Sequence, residues 1–416
     1  VFQIKKIPKR HYDSYVEIVA NAYPGMETTT VEKKKALKLR LLRLESEDKI
    51  SKSFGYYREN KLLGVMRHYD FSMTMFEKPI PVGGIGLVAV DLLHKKEKIC
   101  KEMLKFFHDN YLKKGTCMTS LYPFRPDFYK KMGYGYGVKM NQYKIKPSDF
   151  PKGLSKEHIK YLSKKDFPAI NKCYDRYAAR THGMMKRTVM QDVRLELLNH
   201  VIVGYKRGRR IEGFMTFSFK SAHGSNFVLN DMHIGEFVYE NREVLSEMLT
   251  FLHSQADQVN HIVFNNQDEF FHHIAGDPRN HTYNIIPSVA HESNTQGVGI
   301  MYRVNDVKKL FELLGEHNFN DVTCRLKIKI KDSFVPSNAG DCIVHFRDGK
   351  PAIQKGGKYD IAVEMDISDF SSMIMGVIDF KTLYNYNQAE ISDIKSIDII
   401  NELFAVEQKP VCMTAF

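Results

Sequence analysis

Two groups of residues in this 416-residue sequence have the types and spacing to do chemistry, and a third segment stands out by its apolar composition. The first is a basic turn, Lys95, Lys96 and Lys98, set between an apolar run, Gly84 to Val90, and an amphipathic stretch that starts at Ile99. A helix N-terminus presents unpaired backbone N–H groups and the positive end of the helix dipole, so such a turn can cradle a pyrophosphate. The same three lysines also fit a solvated surface turn. The second group is the run Leu121 to Gly137, dense in tyrosine, with Tyr129 near its middle. A phenol with an unperturbed pKa of ~10 is protonated at neutral pH and can act as an acid; a half-buried packing tyrosine is the plainer alternative. The third is the chain end, where Pro410, Val411, Cys412, Met413, Ala415 and Phe416 are poorly suited to remain in water, although chain ends commonly fray.

The elements that must position these groups are mixed α and β. Helices are expected at His11 to Ala22, Val31 to Leu44, where Leu37, Leu41 and Leu44 share a face, and Ile99 to Leu112. Strands are expected at Phe54 to Tyr57, Leu62 to His68, Phe71 to Phe76, Gly84 to Val90 and Thr116 to Tyr122, with a short helix from Phe128 to Met132 stopped by Gly133. Lys144 to Gly153, with Pro147 and Pro151, reads as a linker. An internal echo follows: Lys101-Glu102-Met103-Leu104-Lys105-Phe106-Phe107-His108 recurs as Ser246-Glu247-Met248-Leu249-Thr250-Phe251-Leu252-His253. Strand-like runs flank the second helix as they flank the first (Asp231 to Tyr239, His261 to Asn265), and a hairpin around Gly208 precedes it, which points to a duplicated fold. From about Val298 the pattern changes. Strands at Val298 to Val304, Thr323 to Ile330 and Tyr359 to Met365, a hairpin around Asp348-Gly349, and helices at Val307 to Leu314 and Ile367 to Gly376 make a third unit. The expected domains are 1–150, 151–297 and 298–416.

Composition narrows the function classes. Residues 1–150 hold 29 Lys and Arg against 16 Asp and Glu, whereas 298–416 hold 14 against 17, so the positive field sits in the first third and suits an anionic partner there. No nucleic-acid recognition motif accompanies it. The longest apolar stretch, Val82 to Leu93, is broken by Asp91 and is too short to span a membrane, and the first residues lack the apolar core of a signal peptide. Six scattered cysteines without a CxxC pair fit neither a disulfide framework nor a zinc site, so the expectation is a cytoplasmic protein with no metal.

The segment Phe128-Tyr129-Lys130-Lys131-Met132-Gly133-Tyr134 resembles the Phe-Tyr-x-x-x-Gly-Phe segment of the GNAT acetyltransferases, and more narrowly of the Eis (enhanced intracellular survival) family. Val88 to Cys100 occupies the place of that superfamily's cofactor motif, and Asp366-Ile367-Ser368-Asp369-Phe370 through Leu383, with a terminal Phe416, matches the Eis layout. The resemblance implies an α/β (α+β) chain: tandem GNAT domains, the second degenerate, followed by a sterol-carrier-protein-like domain. It implies an acetyl-CoA-dependent N-acetyltransferase in which a polyamine-, aminoglycoside- or lysine-like amine attacks the thioester directly. Val88 and Val90 would offer backbone groups to the acetyl-pantetheine arm, Lys95, Lys96, Lys98 and Ile99 would hold the pyrophosphate, and Ser120 would lie beside the cofactor. Tyr129 would protonate the leaving thiolate. The strand Gly84 to Val90 contains no acid or base, and the family's use of its terminal carboxylate points to Phe416 as general base, with burial raising a carboxyl pKa that is ordinarily ~3.3–3.7. The resemblance also implies a trimer-based hexamer.

The motif is not matched throughout: its Pro is Leu92, its first Gly is Lys98 and its final Gly or Ala is Cys100. Glycine there lets the backbone approach phosphate without a Cβ in the way, so a second reading is a non-catalytic or regulatory ligand-binding protein on a GNAT scaffold. In the second copy, at an offset of 145 residues, the basic turn becomes Glu240-Asn241-Arg242-Glu243 and Tyr129 becomes Ile274, which suits a scaffold rather than a cofactor site.

Overall fold

The computed structural model describes residues 2–197 and 200–416. The elements run β1 (Phe2–Lys6), α1 (Tyr12–Ala22), α2 (Val31–Glu47), β2 (Ser51–Arg58), β3 (Lys61–Met75), β4 (Lys78–Val90), α3 (Ile99–Lys113), β5 (Met118–Leu121), α4 (Pro126–Lys130) and β6 (Gly135–Tyr136). There follow β7 (Met140–Ile145), β8 (Ile159–Tyr161), α5 (Phe167–Ala179), α6 (Val189–Leu197), β9 (Val201–Arg207), β10 (Arg210–Ser221), β11 (Asn230–Tyr239), α7 (Arg242–His253), β12 (Val259–Asn266), β13 (Ile285–Ile286), β14 (Ala290–His291) and β15 (Asn294–Gly297). The last stretch comprises β16 (Met301–Val304), α8 (Val307–Leu313), β17 (Cys324–Lys331), β18 (Gly340–Arg347), β19 (Lys350–Gln354), β20 (Ile361–Asp366), α9 (Ile367–Ile374), α10 (Phe380–Asn385), β21 (Ala389–Ile391) and α11 (Ile397–Leu403).

The chain forms two compact units: one takes residues 1–137, 300–410 and 415–416, the other 138–299 and 411–414. In the first, seven strands lie in the order β1-β2-β3-β4-β5-β16-β6. β2, β3 and β4 form an antiparallel meander, and α3 crosses over to put β5 parallel to β4. The apolar spacing of α3 accounts for its packing: Ile99, Met103, Leu104, Phe107 and Tyr111 are all buried among Tyr56, Met66 and Ile85. On α2, the Thr30 side chain accepts from the Lys33 N–H at 3.2 Å and caps the helix, and Leu37, Leu41 and Leu44 are its buried face, as the sequence pattern predicts.

Three expectations need correction. The runs Leu62 to His68 and Phe71 to Phe76 are one 15-residue strand, because Asp70, which interrupts the apolar pattern, is answered by the Tyr111 hydroxyl at 2.8 Å and Lys114 at 2.7 Å. The strand expected at Val298 to Val304 to open the third unit is the shorter Met301–Val304 and is inserted in the first sheet, where it pairs with β5 and β6 and is buried throughout. The supposed linker at 144–153 begins inside β7, whose Asn141, Tyr143 and Ile145 point into the core of the second unit; Pro147–Asp149 forms a short 3-10 helix, and 150–153 is irregular.

The second unit repeats the plan of the first. β9-β10-β11 are antiparallel, α7 crosses over, and β12 is parallel to β11, in a sheet ordered β15-β7-β12-β11-β10-β9-β8. β13 and β14 pair as a two-stranded sheet in the second unit, and a five-stranded sheet, β19-β18-β17-β20-β21, lies in the first unit and carries the expected Asp348-Gly349 hairpin, with φ of 47° and 75° at the two turn residues. Its helix α9 is capped by the Asp366 side chain and braces the first sheet: Ser371 Oγ accepts from the Val304 N–H at 2.9 Å, and Ser372 Oγ donates to the Tyr136 carbonyl at 2.9 Å.

Candidate active site

β4 and β5 separate early. They are paired at Val82–Met118, Gly83–Thr119 and Gly84–Ser120, after which β4 continues to Val90 while β5 ends at Leu121. On its other edge β4 bulges: Gly86 faces Arg67 and Ala89 faces Val65, so Leu87 and Val88 stand opposite the single Met66. Leu87 takes a left-handed φ of 48° to make this turn, and the Tyr23 hydroxyl donates to the Val88 carbonyl at 2.7 Å. The ladder resumes at Ala89 and Val90, which face Val65 and Gly64, so the bulge is confined to Leu87 and Val88 just ahead of the basic turn.

The turn itself has the conformation a glycine-rich loop would take. Lys96 and Lys98 have φ of 66° and 62°, in the left-handed region, although neither is glycine. Lys98 ends the turn without a side-chain cap, and the first helical bond is Glu102 N–H donating to the Lys98 carbonyl at 3.0 Å. The N–H groups of Ile99, Cys100 and Lys101 thus precede the first closed turn and have no intrahelical acceptor. Glu97, the one acid in the turn, is held by Arg58 at 2.7 Å and His94 at 3.1 Å, and the Arg58 hydrogen bond, the largest effect, keeps its carboxyl below the usual range. A cavity of about 540 Å³ opens here, with Val88, Val90, Lys95, Lys96, Lys98 and Ile99 in its wall. Six sequence-predicted residues are thereby brought together.

Tyr129 sits on α4, which begins with Pro126 and ends at Lys130, earlier than the sequence suggests, and a turn carries the chain on to Gly133. Gly133 has a φ of 80°, and a Cβ there would lie 1.6 Å from Nη1 of the buried Arg303, so both backbone and space demand glycine. Tyr129 is 2% exposed, wedged against Phe128 (5.3 Å between ring centroids), Phe124 (5.6 Å) and Tyr134 (6.0 Å). Burial, with a smaller push from the Cys100 thiol, drives the phenol pKa well above 10, so the group stays protonated. Cys100, Phe128 and Met132 line the cavity; Tyr129 itself does not form part of that wall. Ser120 is fully buried on β5 in register with Gly84, and its Oγ has no hydrogen-bond partner among the described residues; it too lies outside the cavity wall.

The chain end packs onto β4. The Phe416 ring contacts Phe71 (4.8 Å), Tyr122 (5.4 Å) and Tyr69 (5.5 Å). A Cβ on Gly86 would lie 2.9 Å from the Phe416 carboxyl carbon and 3.2 Å from its oxygen, and one on Gly84 would lie 3.1 Å from the Phe416 ring and 2.4 Å from that of Phe71. The two glycines form a seat that any side chain would fill. Arg67, the cross-strand partner of Gly86, is 1% exposed; its Nη2 donates to Ser51 Oγ at 2.6 Å. Sequence reasoning missed Tyr23, Arg67, Gly84 and Gly86. The run Gly83-Gly84-Ile85-Gly86 was the available signal, since glycine inside a strand marks a close approach.

Comparison with protein families decides the assignment. A family described as an acetyltransferase (GNAT) domain matches residues 3–137, a second acetyltransferase (GNAT) domain family matches 177–304, and a sterol carrier protein domain family matches 307–413. The chain is a GNAT-family N-acetyltransferase with an Eis-like layout. Among solved structures, this acetyltransferase is similar over 100% of both chains to a probable N-acyltransferase from Enterococcus faecalis (19% identity, TM-score 0.79). Over the same coverage it is similar to a GCN5-related N-acetyltransferase from Anabaena variabilis (16%, 0.79) and to Eis1 from Mycobacterium abscessus (15%, 0.77). At these identities the likeness concerns the fold. Comparison with curated proteins gives no match.

In the second GNAT domain of the acetyltransferase the corresponding helix start is closed. Asn241 caps α7 by accepting from the Val244 N–H at 3.1 Å, and Glu240 is held by Arg176 and Arg210, each at 2.7 Å through one of its nitrogens. Ile274 ends a short turn, Phe271–Ile274. Among the described residues, no group of three or more His, Cys, Asp or Glu could hold a metal ion, and no helix is long and apolar enough to cross a membrane.

Proposed function

We propose that the first GNAT domain transfers the acetyl group of acetyl-CoA to a small primary amine, with Tyr129 as general acid and the Phe416 carboxylate as general base. GNAT domains generally use acetyl-CoA, and the residues here fit it: the left-handed backbone at Lys96 and Lys98 exposes the N–H groups at the start of α3, and the neighbouring ammonium groups supply charge for a pyrophosphate. The thioester supplies an electrophilic carbonyl and a thiol leaving group. Lys95, Lys96, Lys98 and Ile99 hold the phosphates, the bulged strand at Val88 and Val90 aligns the pantetheine arm, and Ser120 lies beside it.

The observation that carries this reading is the chain end against Gly86. From Gly84 to Val90 the strand offers no acid or base of its own, so a carboxylate laid on it stands in for the missing side chain. That carboxylate takes a proton from the ammonium of the acceptor; the freed amine attacks the carbonyl carbon, the new C–N bond forms, the C–S bond breaks, the Tyr129 hydroxyl donates its proton to the departing sulfur, and the extra proton left on the new amide nitrogen returns to the Tyr129 phenolate. The acceptor class we infer is polyamine-, aminoglycoside- or lysine-like. Six cysteines, none in a disulfide, support a reducing, cytoplasmic setting, and the Eis-like layout supports a trimer-based hexamer, which a solution mass measurement checks.

The test is acetyl-CoA turnover across a panel of primary amines, with calorimetry of acetyl-CoA alone. Turnover with at least one amine and saturable binding are expected. Binding without turnover on any amine would favour a ligand-binding role, and no heat at millimolar acetyl-CoA would remove the cofactor site altogether.

A further inference from the structure

Beyond Gly84, β5 no longer covers β4, and among the described residues no strand pairs with that side of Ile85 to Val90. The direction of each peptide there follows from the pairing with β3. The Asp91 N–H donates to the Leu63 carbonyl at 2.9 Å, and Val90 and Ala89 face Gly64 and Val65. Bonded and non-bonded pairs alternate along an antiparallel ladder, so Ala89, two residues before Asp91, turns its N–H toward β3, while Val90 turns its N–H and carbonyl away. A trans peptide sets its carbonyl opposite its N–H, and no peptide among the described residues is cis. The Val88 carbonyl, in the same peptide as the Ala89 N–H, therefore points to the open edge.

A carbonyl turned out of the ladder needs a donor from elsewhere. The Tyr23 hydroxyl supplies it at 2.7 Å. Tyr23 stands at the end of α1, where its own N–H donates to the Val19 carbonyl at 2.9 Å, and Pro24 follows it, so the phenol is delivered from a fixed backbone. Tyr23 and Leu87 pack against one core, the one that holds Val16 and Val19. Burial, with a smaller push from the Cys100 thiol, raises the phenol pKa to about 12, so the hydroxyl keeps its proton and stays a donor. Tyr23, Val88 and Val90 all stand in the wall of the large cavity, which also reaches Lys95, Lys96 and Lys98.

We propose that Tyr23 positions the pantetheine arm of acetyl-CoA. Its hydroxyl takes one lone pair of the Val88 carbonyl and keeps that peptide facing the cavity; the second lone pair is left for an amide N–H of the arm, which meets the open edge as an added strand would. Tyr23 acts through this carbonyl and not on the reacting atoms. The inference rests on the acetyl-CoA reading above and adds to it the side chain that shapes the edge of the arm site. The rival is a plug: a hydroxyl that occupies the carbonyl in the free protein and must be displaced. The two differ in sign, because removing a positioning donor weakens the arm's binding and removing a plug tightens it.

The experiment compares the full chain with Tyr23→Phe, which keeps the ring and deletes only the donor, by calorimetry with CoA and with ADP. ADP carries a pyrophosphate for the basic turn but no arm. Tyr23→Phe should weaken CoA about fivefold, the worth of one neutral hydrogen bond, and leave ADP unchanged. In turnover the loss should fall on the KM for acetyl-CoA more than on kcat. Equal weakening of CoA and ADP would make Tyr23 a structural residue only; unchanged or tighter CoA binding would likewise overturn the proposal. If the unaltered chain bound ADP but not CoA, or neither, the cofactor reading itself would fall, whereas CoA bound alike by both proteins would remove the role of Tyr23 alone.

Discussion

The two GNAT domains start from the same plan and end with opposite helix termini. In the first, Lys98 precedes α3 with φ 62° and ψ 8°, a conformation in which its side chain makes no cap. In the second, Asn241 precedes α7 with φ −157° and ψ 177°, the extended geometry that lets its side chain fold back onto the Val244 N–H. One helix leaves its first N–H groups without an intrahelical acceptor; the other satisfies one with its own cap. The strand gaps differ in the same way. Where the pairing of β11 and β12 ends, at Ile234 opposite Phe264, Phe264 meets Phe237 at 5.3 Å and Phe271 at 4.9 Å, so the second domain packs aromatic side chains around its diverging strands. In the first, Gly84 and Gly86 leave a hollow that the Phe416 ring and carboxyl enter. A duplicated fold has kept its frame twice and, on the proposed reading, its chemistry once.

The most forceful way to break this contrast is to move the carboxylate. Appending two glycines after Phe416 should lower kcat about 10²- to 10⁴-fold, the usual contribution of a general base, while circular dichroism stays unchanged. Gly86→Ala should act the same way, because its Cβ would lie 2.9 Å from the carboxyl carbon. Full activity in both variants would remove Phe416 from the mechanism. Next in size is Tyr129→Phe, expected to cost about 10²-fold in kcat with little change in acetyl-CoA affinity, whereas Ile274→Tyr in the second domain should change neither. Because burial holds the Tyr129 phenol above its ordinary pKa of 10, the acid form persists as pH rises, and kcat should show no alkaline loss from this group up to pH 10. A decline in wild type that vanishes in Tyr129→Phe would contradict that sign.

Much of the first domain was legible because its signals are local. The i, i+4 spacing of Ile99, Met103 and Phe107 gave α3, and the repeated Glu-Met-Leu with Phe and His gave α7 and the duplication. The residues that make the candidate site work were less visible, because their partners are remote in sequence. Gly86 is explained by residue 416, Gly133 by Arg303, and the burial of Met301–Val304 by pairing with β5 and β6. None of these relations has a period that a window can detect. The basic turn misled in another way. Lys98 in place of glycine reads as damage to a phosphate loop, yet the backbone adopts the left-handed conformation regardless, at a cost for a non-glycine residue of roughly 1 kcal/mol.

That cost gives the comparison its finer tests. Lys98→Gly relaxes the left-handed strain but removes a charge from the cavity wall, and these effects oppose each other in acetyl-CoA affinity, so a change within about threefold is expected. Lys98→Glu keeps the strain and reverses the charge, imitating the acids of the second domain, and should weaken acetyl-CoA about tenfold by calorimetry. If Glu and Gly variants bound alike, the backbone alone would carry the phosphate contact. The smallest effect belongs to the closed helix. Asn241→Ala deletes the cap on α7 and should destabilise the second domain by about 1 kcal/mol, lowering its melting transition by about 2–4 °C in calorimetry. It should leave kcat and acetyl-CoA affinity untouched. A cap that can be removed without kinetic consequence is what a helix start used only for folding requires; a kinetic effect there would mean that the second domain shares in the chemistry.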